Sequence, residues 1–353
     1  MRLLFVKLKH IGDSLLLTPT LTAVRSTYPQ AQIWVVTRKG CDGILAGCPA
    51  IDRIVTSAAP ETHLRSPLNG LAIFRLLREL RQQKFDYVFE LTDGDRGRWI
   101  SALSGARNRC VNIAGRPLNR WWRGRFNRTS SFAWVNHHRV EKDFFTVHDC
   151  LPLAGPVPPL SFDRARAVVP VLGQSGRSYA VFHPGTRWLR KRWPQEKWVD
   201  LGRRLLAQFP QLVISAGPDP EEIACARELQ AALGPAAIST EGRLSWSEVA
   251  GLLYQAKLFV GVDTAAMHLA AACQCPTVAI FGPSVERFWR PWQVDSRVVT
   301  ARPSPLDPGA AGCLSPIEDR KTGDVTVADV LEASLELLAT PLAVQTARGK
   351  SIS

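Results

Sequence analysis

No stretch of this chain is apolar enough to span a bilayer. Its hydrophobic runs are short and broken, well under the ~18 residues a membrane helix needs. The opening run, residues 1–17, carries Lys7, Lys9 and Asp13 and has no small-residue cleavage site. It reads as a first β-strand rather than a secretory leader. Eight cysteines are scattered with no Cys-x-x-Cys pair and no histidines at zinc spacing. Cys273 and Cys275 flank a helix end and read as packing, and the pattern fits a reduced, cytoplasmic protein. No Gly-x-Gly-x-x-Gly follows a strand, which argues against a dinucleotide oxidoreductase. Gly349-Lys350-Ser351 imitates the end of a phosphate loop, but Val344 stands where its first glycine is required. No Gly-x-Ser-x-Gly elbow is present. Asp93 and Asp95 could suggest a metal-binding carboxylate pair, but helix capping is the simpler reading.

What is present is 353 residues with 46% apolar content, enough for two α/β domains. Lysine and arginine number 44 against 31 acidic residues, for a net charge of +13. Such a surface attracts polyanions, whether nucleic acid, an acidic leaflet or phosphorylated substrates. The charge concentrates in residues 116–128, where Arg116, Arg120, Arg123, Arg125 and Arg128 surround Trp121 and Trp122. Arginine interleaved with aromatics suits nucleic acid, phosphosugars or lipid headgroups, and a merely solvated loop remains open.

The first half alternates strands at 3–8, 32–37, 53–56, 87–91 and 110–113 with helical patterns at 14–27, 69–82 and 96–104. In the second of these helices Leu71, Phe74, Leu77 and Leu80 form one apolar stripe. A further helix fits 141–153, and 154–178 is rich in proline, glycine and serine without a clear period. The alternation restarts with strands at 179–183, 212–216, 258–262 and 277–281 and helices at 196–208, 221–232 and 246–256. A last amphipathic helix fits 325–339. Alternating elements imply right-handed crossovers and a parallel sheet in each half. The expected fold is therefore α/β, with two doubly wound, Rossmann-like domains facing across a cleft. The boundaries are taken as 1–165 and 166–340, followed by a tail at 341–353.

Three segments at strand carboxyl ends can carry chemistry, because open α/β sheets bind ligands there. In Lys7–Ser14, Gly12 allows close approach, and Asp13 either caps a helix or accepts a proton from a substrate hydroxyl. In 183–198, the Gly185-Thr186 turn with Arg187, Arg190, Lys191 and Arg192 can hold a diphosphate, or forms a basic surface loop. In 257–284, Asp263 reads as a helix N-cap, Ala265 and Ala266 keep the first turn narrow, and His268 projects from it. Free N–H groups there can reach an anion. The alternative is an ordinary capped βαβ unit.

Together these motifs resemble glycosyltransferase family 9, the lipopolysaccharide heptosyltransferases of GT-B fold. The residues that carry the resemblance are Lys7…Ile11-Gly12-Asp13 with Pro19-x-Leu21, the run His183…Thr186…Lys191-Arg192-Trp193-Pro194, and Gly261-x-Asp263-Thr264…His268, in the family's order. Leu91-Thr-Asp-Gly-Asp95-Arg96-Gly97 is similar to the heptosyltransferase III branch, which decorates the second inner-core heptose.

The resemblance implies an inverting transfer from ADP-L-glycero-β-D-manno-heptose to the lipid-A–core oligosaccharide, with no metal or other cofactor. It implies Asp13 as general base. Thr186, Lys191 and the backbone at Thr264, Ala265 and Ala266 would hold the departing diphosphate, and Asp263 and His268 would position heptose and phosphates. The family's acidic ribose contact falls on Glu221 or Glu222, with Glu222 the candidate. Ala265 stands where many relatives have glycine. Arg96, Arg98, Arg120 and Arg123 are candidates for the acceptor's phosphates or acidic sugars. The expected location is the cytoplasmic face of the inner membrane, in peripheral contact with it and with no nucleic-acid partner. Two alternatives remain open: a family relative using another sugar or acceptor, and a non-catalytic polyanion-binding protein.

Overall fold

The computed structural model describes residues 1–57, 67–173, 176–300 and 320–339; the tail expected over 341–353, with Gly349–Ser351, lies outside them. The chain divides into two compact units, Met1–Pro158 and the residues from Pro159 onward.

The first unit holds six strands: β1 (Arg2–Lys7), β2 (Gln32–Arg38), β3 (Arg53–Ser57), β4 (Tyr87–Glu90), β5 (Asn108–Asn112) and β6 (Arg128–Ser130). They form one sheet in the order β3-β2-β1-β4-β5-β6, with every pair parallel. The second unit repeats this plan with β7 (Tyr179–His183), β8 (Gln211–Ile214), β9 (Ala237–Ser239), β10 (Leu258–Val262), β11 (Thr277–Phe281) and β12 (Ser296–Thr300). Its order is β9-β8-β7-β10-β11-β12, again wholly parallel. Each sheet reverses strand order once, between β1 and β4 in the first and between β7 and β10 in the second. These are the topological switch points where doubly wound sheets open a crevice for ligands.

The central strands are apolar on both faces because helices cover both. Leu3–Val6 and Tyr179–Phe182 are essentially inaccessible. In the first unit Leu4, Val6, Trp34 and Val36 meet Leu76, Leu80 and Ile100 from the helices Pro67–Gln82 and Asp95–Leu103. In the second, Phe182 packs against Trp198, which sits at right angles to Trp193. The second core extends back to Leu160 and Phe162: the Tyr254 hydroxyl donates to the Phe162 carbonyl, and the Val168 amide donates to Ser247 O. That packing ties the irregular segment after Pro158 to the second unit.

Three expectations change. The helix expected over 14–27 is two helices, Ile11–Leu15 and Thr18–Thr27, because Pro19 fits a helix's first turn but not its interior. Of the stripe read in 69–82, Leu80 is buried, but Leu71 and Phe74 are 46% and 63% exposed, and Leu76, off that stripe, is buried instead. Both stripes share the 3.6-residue period, and packing on the sheet selects one of them. The strands β6, β9 and β12, unforeseen in the sequence, are all edge strands. Among the described residues all cysteines are free, and Cys273 and Cys275 are buried with their thiols directed at the Ala250 and Ala256 carbonyls. No described helix is long and apolar enough to cross a membrane.

Candidate functional site

In the second unit the carboxyl ends of β7 and β10 lie side by side, Gly261 in register with His183. After β10 the chain turns at Asp263 and Thr264 into the helix Ala265–Ala272. The expected capping by Asp263 is not what forms. Thr264 is the N-cap, in extended conformation, and no side chain caps the helix. Asp263 is instead claimed by a cation: its Oδ2 lies 2.6 Å from Lys191 Nζ. Lys191 ends a short turn, Leu189–Lys191, in the loop after β7, and it lies 5.5 Å from the centre of the Trp188 ring. Among the described side chains none caps the first turn, whose amides suit an anionic acceptor. Thr264 Oγ1 is buried beside them with no hydrogen-bond partner among the described residues. His268 is one turn further on and 3% exposed.

Thr186, also buried, accepts from the Trp188 amide. Glu222 sits on the helix Pro220–Leu233 after β8, and its Oε2 accepts from the Gly217 amide at 2.9 Å. A Cβ on Gly185 would stand 2.5 Å from that oxygen, so glycine is what lets the β7 loop pass the carboxylate. Burial raises the Glu222 pKa against the lowering effect of the Gly217 N–H. Glu221, by contrast, points outward to Arg192 at 2.6 Å with its side chain 69% exposed. Between the two, Glu222 faces the loop that carries Thr186 and Lys191. At the end of β7, His183 is buried against Ser215 Oγ, and burial holds its pKa down to about 4, so the ring is neutral at pH 7.

In the first unit the other expected residues distribute unevenly. Asp13 lies in the short helix after β1, half-buried, and accepts weakly from the His10 amide at 3.3 Å. It thus does some of the capping that was the alternative to its chemical reading. Beneath it is a buried ion cluster that the sequence did not announce. Lys7, the last residue of β1, pairs with Asp143 at 2.6 Å, and Lys142 pairs with Asp93. Burial works against the charge on Lys7, but the carboxylates of Asp143, Asp13 and Asp93 outweigh it and raise its pKa. Glu90, ending β4, accepts from the amides of Thr92 and Asp93 and so shapes the turn in which Asp93 adopts a φ of 61°. A lone acid in the apolar run Tyr87–Leu91 was the available signal. The expected capping role of Asp93 and Asp95 does not form through their side chains: Gly94 is the N-cap, Asp93 holds Lys142 and Asp95 holds Arg116.

The four acceptor candidates have different surroundings. Arg96 donates to Ser57 Oγ at the end of β3. Arg98 is 2% exposed, with its guanidinium on the Arg116 carbonyl, which removes it from the surface and makes it a brace. Arg120 and Arg123 are exposed on the short helix Arg120–Arg123. Among the described residues no three His, Cys, Asp or Glu side chains form a metal-holding group.

Two units of 3-2-1-4-5-6 topology, one with a helix N-terminus, a lysine and a buried hydroxyl at its switch point, have the architecture of the GT-B fold. Solved structures share it. The Escherichia coli heptosyltransferase WaaC with ADP superposes with a TM-score of 0.79 at 21% identity, over 96% of this chain and 100% of that one. E. coli ADP-heptose lipopolysaccharide heptosyltransferase II gives 0.75 at 20% identity, over 96% and 98%. By sequence, the chain is 30% identical over 300 residues to lipopolysaccharide heptosyltransferase 1 of Pseudomonas aeruginosa, covering 82% of this chain and 80% of that protein. It is 28% identical over 290 residues to lipopolysaccharide heptosyltransferase 3 of E. coli, covering 80% and 83%. Residues 73–308 match the model of glycosyltransferase family 9 (heptosyltransferase), and the chain belongs to that family. It is a glycosyltransferase.

Proposed function

We propose that this enzyme transfers heptose from ADP-L-glycero-β-D-manno-heptose to the inner core of lipopolysaccharide, with inversion and without a metal, at the cytoplasmic face of the inner membrane. An inner-core acceptor is in keeping with the likeness to lipopolysaccharide heptosyltransferases 3 and 1. The observation that carries the donor side is the cluster at the β7–β10 switch point. There the uncapped first turn of Ala265–Ala272 and the unpartnered Thr264 hydroxyl lie beside the Lys191–Asp263 pair. A diphosphate placed there takes hydrogen bonds from the backbone at Thr264, Ala265 and Ala266 and draws Lys191 to itself. Asp263, released from Lys191, accepts from the sugar's hydroxyls, with His268 and Thr186 beside the phosphates. Glu222 takes the ribose.

In the reaction the acceptor hydroxyl oxygen attacks the anomeric carbon of the donor while its proton passes to the Asp13 carboxylate. The bond from that carbon to the β-phosphate oxygen breaks, and its electron pair departs with ADP. Charge therefore develops on the leaving diphosphate, where a fixed cation and helix amides stabilise it. On the acceptor side, Arg96, Arg120 and Arg123 supply exposed or half-exposed cations for core phosphates.

The test is transfer from ADP-heptose to truncated core acceptors, read by mass spectrometry with EDTA present and Asp13→Asn alongside. The expected result is the gain of one heptose, indifferent to EDTA and reduced by ~10²–10⁴ in the variant with its fold retained. Full activity in the variant would remove Asp13 as the base. Transfer from a different nucleotide sugar, but not from ADP-heptose, would overturn the donor.

A further inference from the structure

The helix Pro67–Gln82 presents an outer face that no described residue covers. Leu71 and Phe74 are 46% and 63% exposed, and Arg75, Arg78 and Arg81 follow on the same side at helical spacing. This face continues onto its neighbour. Phe74, Leu77 and Arg78 line a shallow groove with Leu103 of the helix Asp95–Leu103, and Arg81 Nε donates to the Leu103 carbonyl. Trp99 stands one turn before Leu103, 45% exposed, and its ring lies 4.6 Å from that of Trp121, itself 42% exposed. Arg125 is stacked on Trp121 at 3.8 Å. The result is one apolar band, two of its members tryptophans, running across two adjacent helices and the short helix beside them.

The charge around the band is predominantly positive. Between Asp95 and Glu141 the chain has ten arginines and not one carboxylate. On the helix Pro67–Gln82 the sole acid, Glu79, is tied to Arg53. Apolar side chains standing out of a solvated helix, tryptophans with one exposed edge and a cationic rim together match the boundary between headgroups and acyl chains. A duplex or single-stranded nucleic acid would use the arginines and tryptophans but would leave Leu71 and Phe74 in water.

We propose that this face of the first unit docks on an anionic phospholipid bilayer, with Leu71, Phe74, Trp99 and Trp121 entering the interface and Arg75, Arg78 and Arg81 engaging the headgroups. The proposal gives a surface to the membrane-facing reading above and is independent of which sugar is moved. Each cation near such a surface adds roughly fivefold in affinity at physiological salt, and each large apolar side chain buried adds roughly tenfold or more.

The experiment is co-sedimentation of the full chain with vesicles of phosphatidylcholine alone and of phosphatidylcholine with phosphatidylglycerol, over a range of salt. The parent is compared with Leu71→Glu/Phe74→Glu, with Arg75→Gln/Arg78→Gln, and with Val171→Glu, an exposed apolar control in the other unit. The parent is expected to bind only the anionic vesicles, more weakly as salt rises. The first double variant loses at least about tenfold and the second about tenfold or more, while Val171→Glu matches the parent. Transfer to a soluble, lipid-free acceptor is unchanged in all four proteins, which separates a failure of docking from a failure of the transferase reading. Equal vesicle binding by the parent and the two double variants overturns the proposal. So does binding of single-stranded DNA in preference to vesicles, or self-association that Leu71→Glu/Phe74→Glu abolishes.

Discussion

Glu90 ends β4 at 1% exposure, and its two oxygens have different surroundings. Oε1 accepts from the amides of Thr92 and Asp93, whereas Oε2 is buried with no partner among the described residues. Burial first, and then the nearby Asp93 carboxylate, push its pKa from 4.5 up to about 7, against the opposing Thr92 amide, Arg98 and Lys142. Between those two values the folded chain keeps a proton that the unfolded chain has released. Glu90's contribution is therefore full below about pH 4.5, declines as pH rises, and is gone above about pH 7. The shift corresponds to about 3 kcal/mol in all. Glu90→Gln keeps an acceptor for the two amides and cannot ionise. Relative to the parent, the variant should gain roughly 2–3 kcal/mol between pH 5 and pH 8. His183 imposes the opposite slope in an overlapping range, since its folded pKa is depressed to about 4. That contribution is common to both proteins and cancels in the difference. Urea unfolding of parent and variant across this range, followed by circular dichroism, is the assay. A stability difference that does not change with pH would refute the buried, protonated state of Glu90.

Two further outcomes follow from the same geometry. Asp143→Asn leaves Lys7 as a buried cation without its counter-ion and should cost about 3–5 kcal/mol in unfolding free energy; a loss under about 1 kcal/mol would mean that solvent already reaches the pair. Gly185→Ala places a methyl 2.5 Å from Glu222 Oε2 and 2.8 Å from its Cδ, so the flexible carboxylate gives way. The Michaelis constant for the donor should rise by roughly tenfold as a charge-assisted contact is lost, with kcat little changed. An unchanged constant would take Glu222 away from the donor.

The strands at the centre of each sheet were legible because they are buried on both faces and read as unbroken apolar runs. Leu258–Val262 and Thr277–Phe281 were foreseen to the residue. The edge strands β6, β9 and β12 were not, since an edge needs neither length nor hydrophobicity to pair once its neighbour exists. The cluster at the β7–β10 switch point could be singled out from its position after two strands, but the partner of Asp263 could not. A carboxylate before a helix caps it by default, and only the folded β7 loop brings in Lys191. Arg98 illustrates the reverse case: named as a candidate for the acceptor's phosphates, it turns inward to satisfy a carbonyl. The ion cluster around Lys7 joins residues more than eighty positions apart, and no local pattern encodes such a meeting.

Among the described residues both sheets are wholly parallel, so no strand pair there could be closed by a tight turn. Every ladder waits for a crossover, and contacts are distant in sequence, which slows folding. Each unit is nonetheless one unbroken segment. All six strands of the first, and the helix Arg139–Cys150 that supplies Lys142 and Asp143, precede Pro159. During synthesis the first sheet can therefore pair all six of its strands and assemble its ion cluster before β7 leaves the ribosome. The two halves then face the hazard of exposed parallel edges one after the other rather than together.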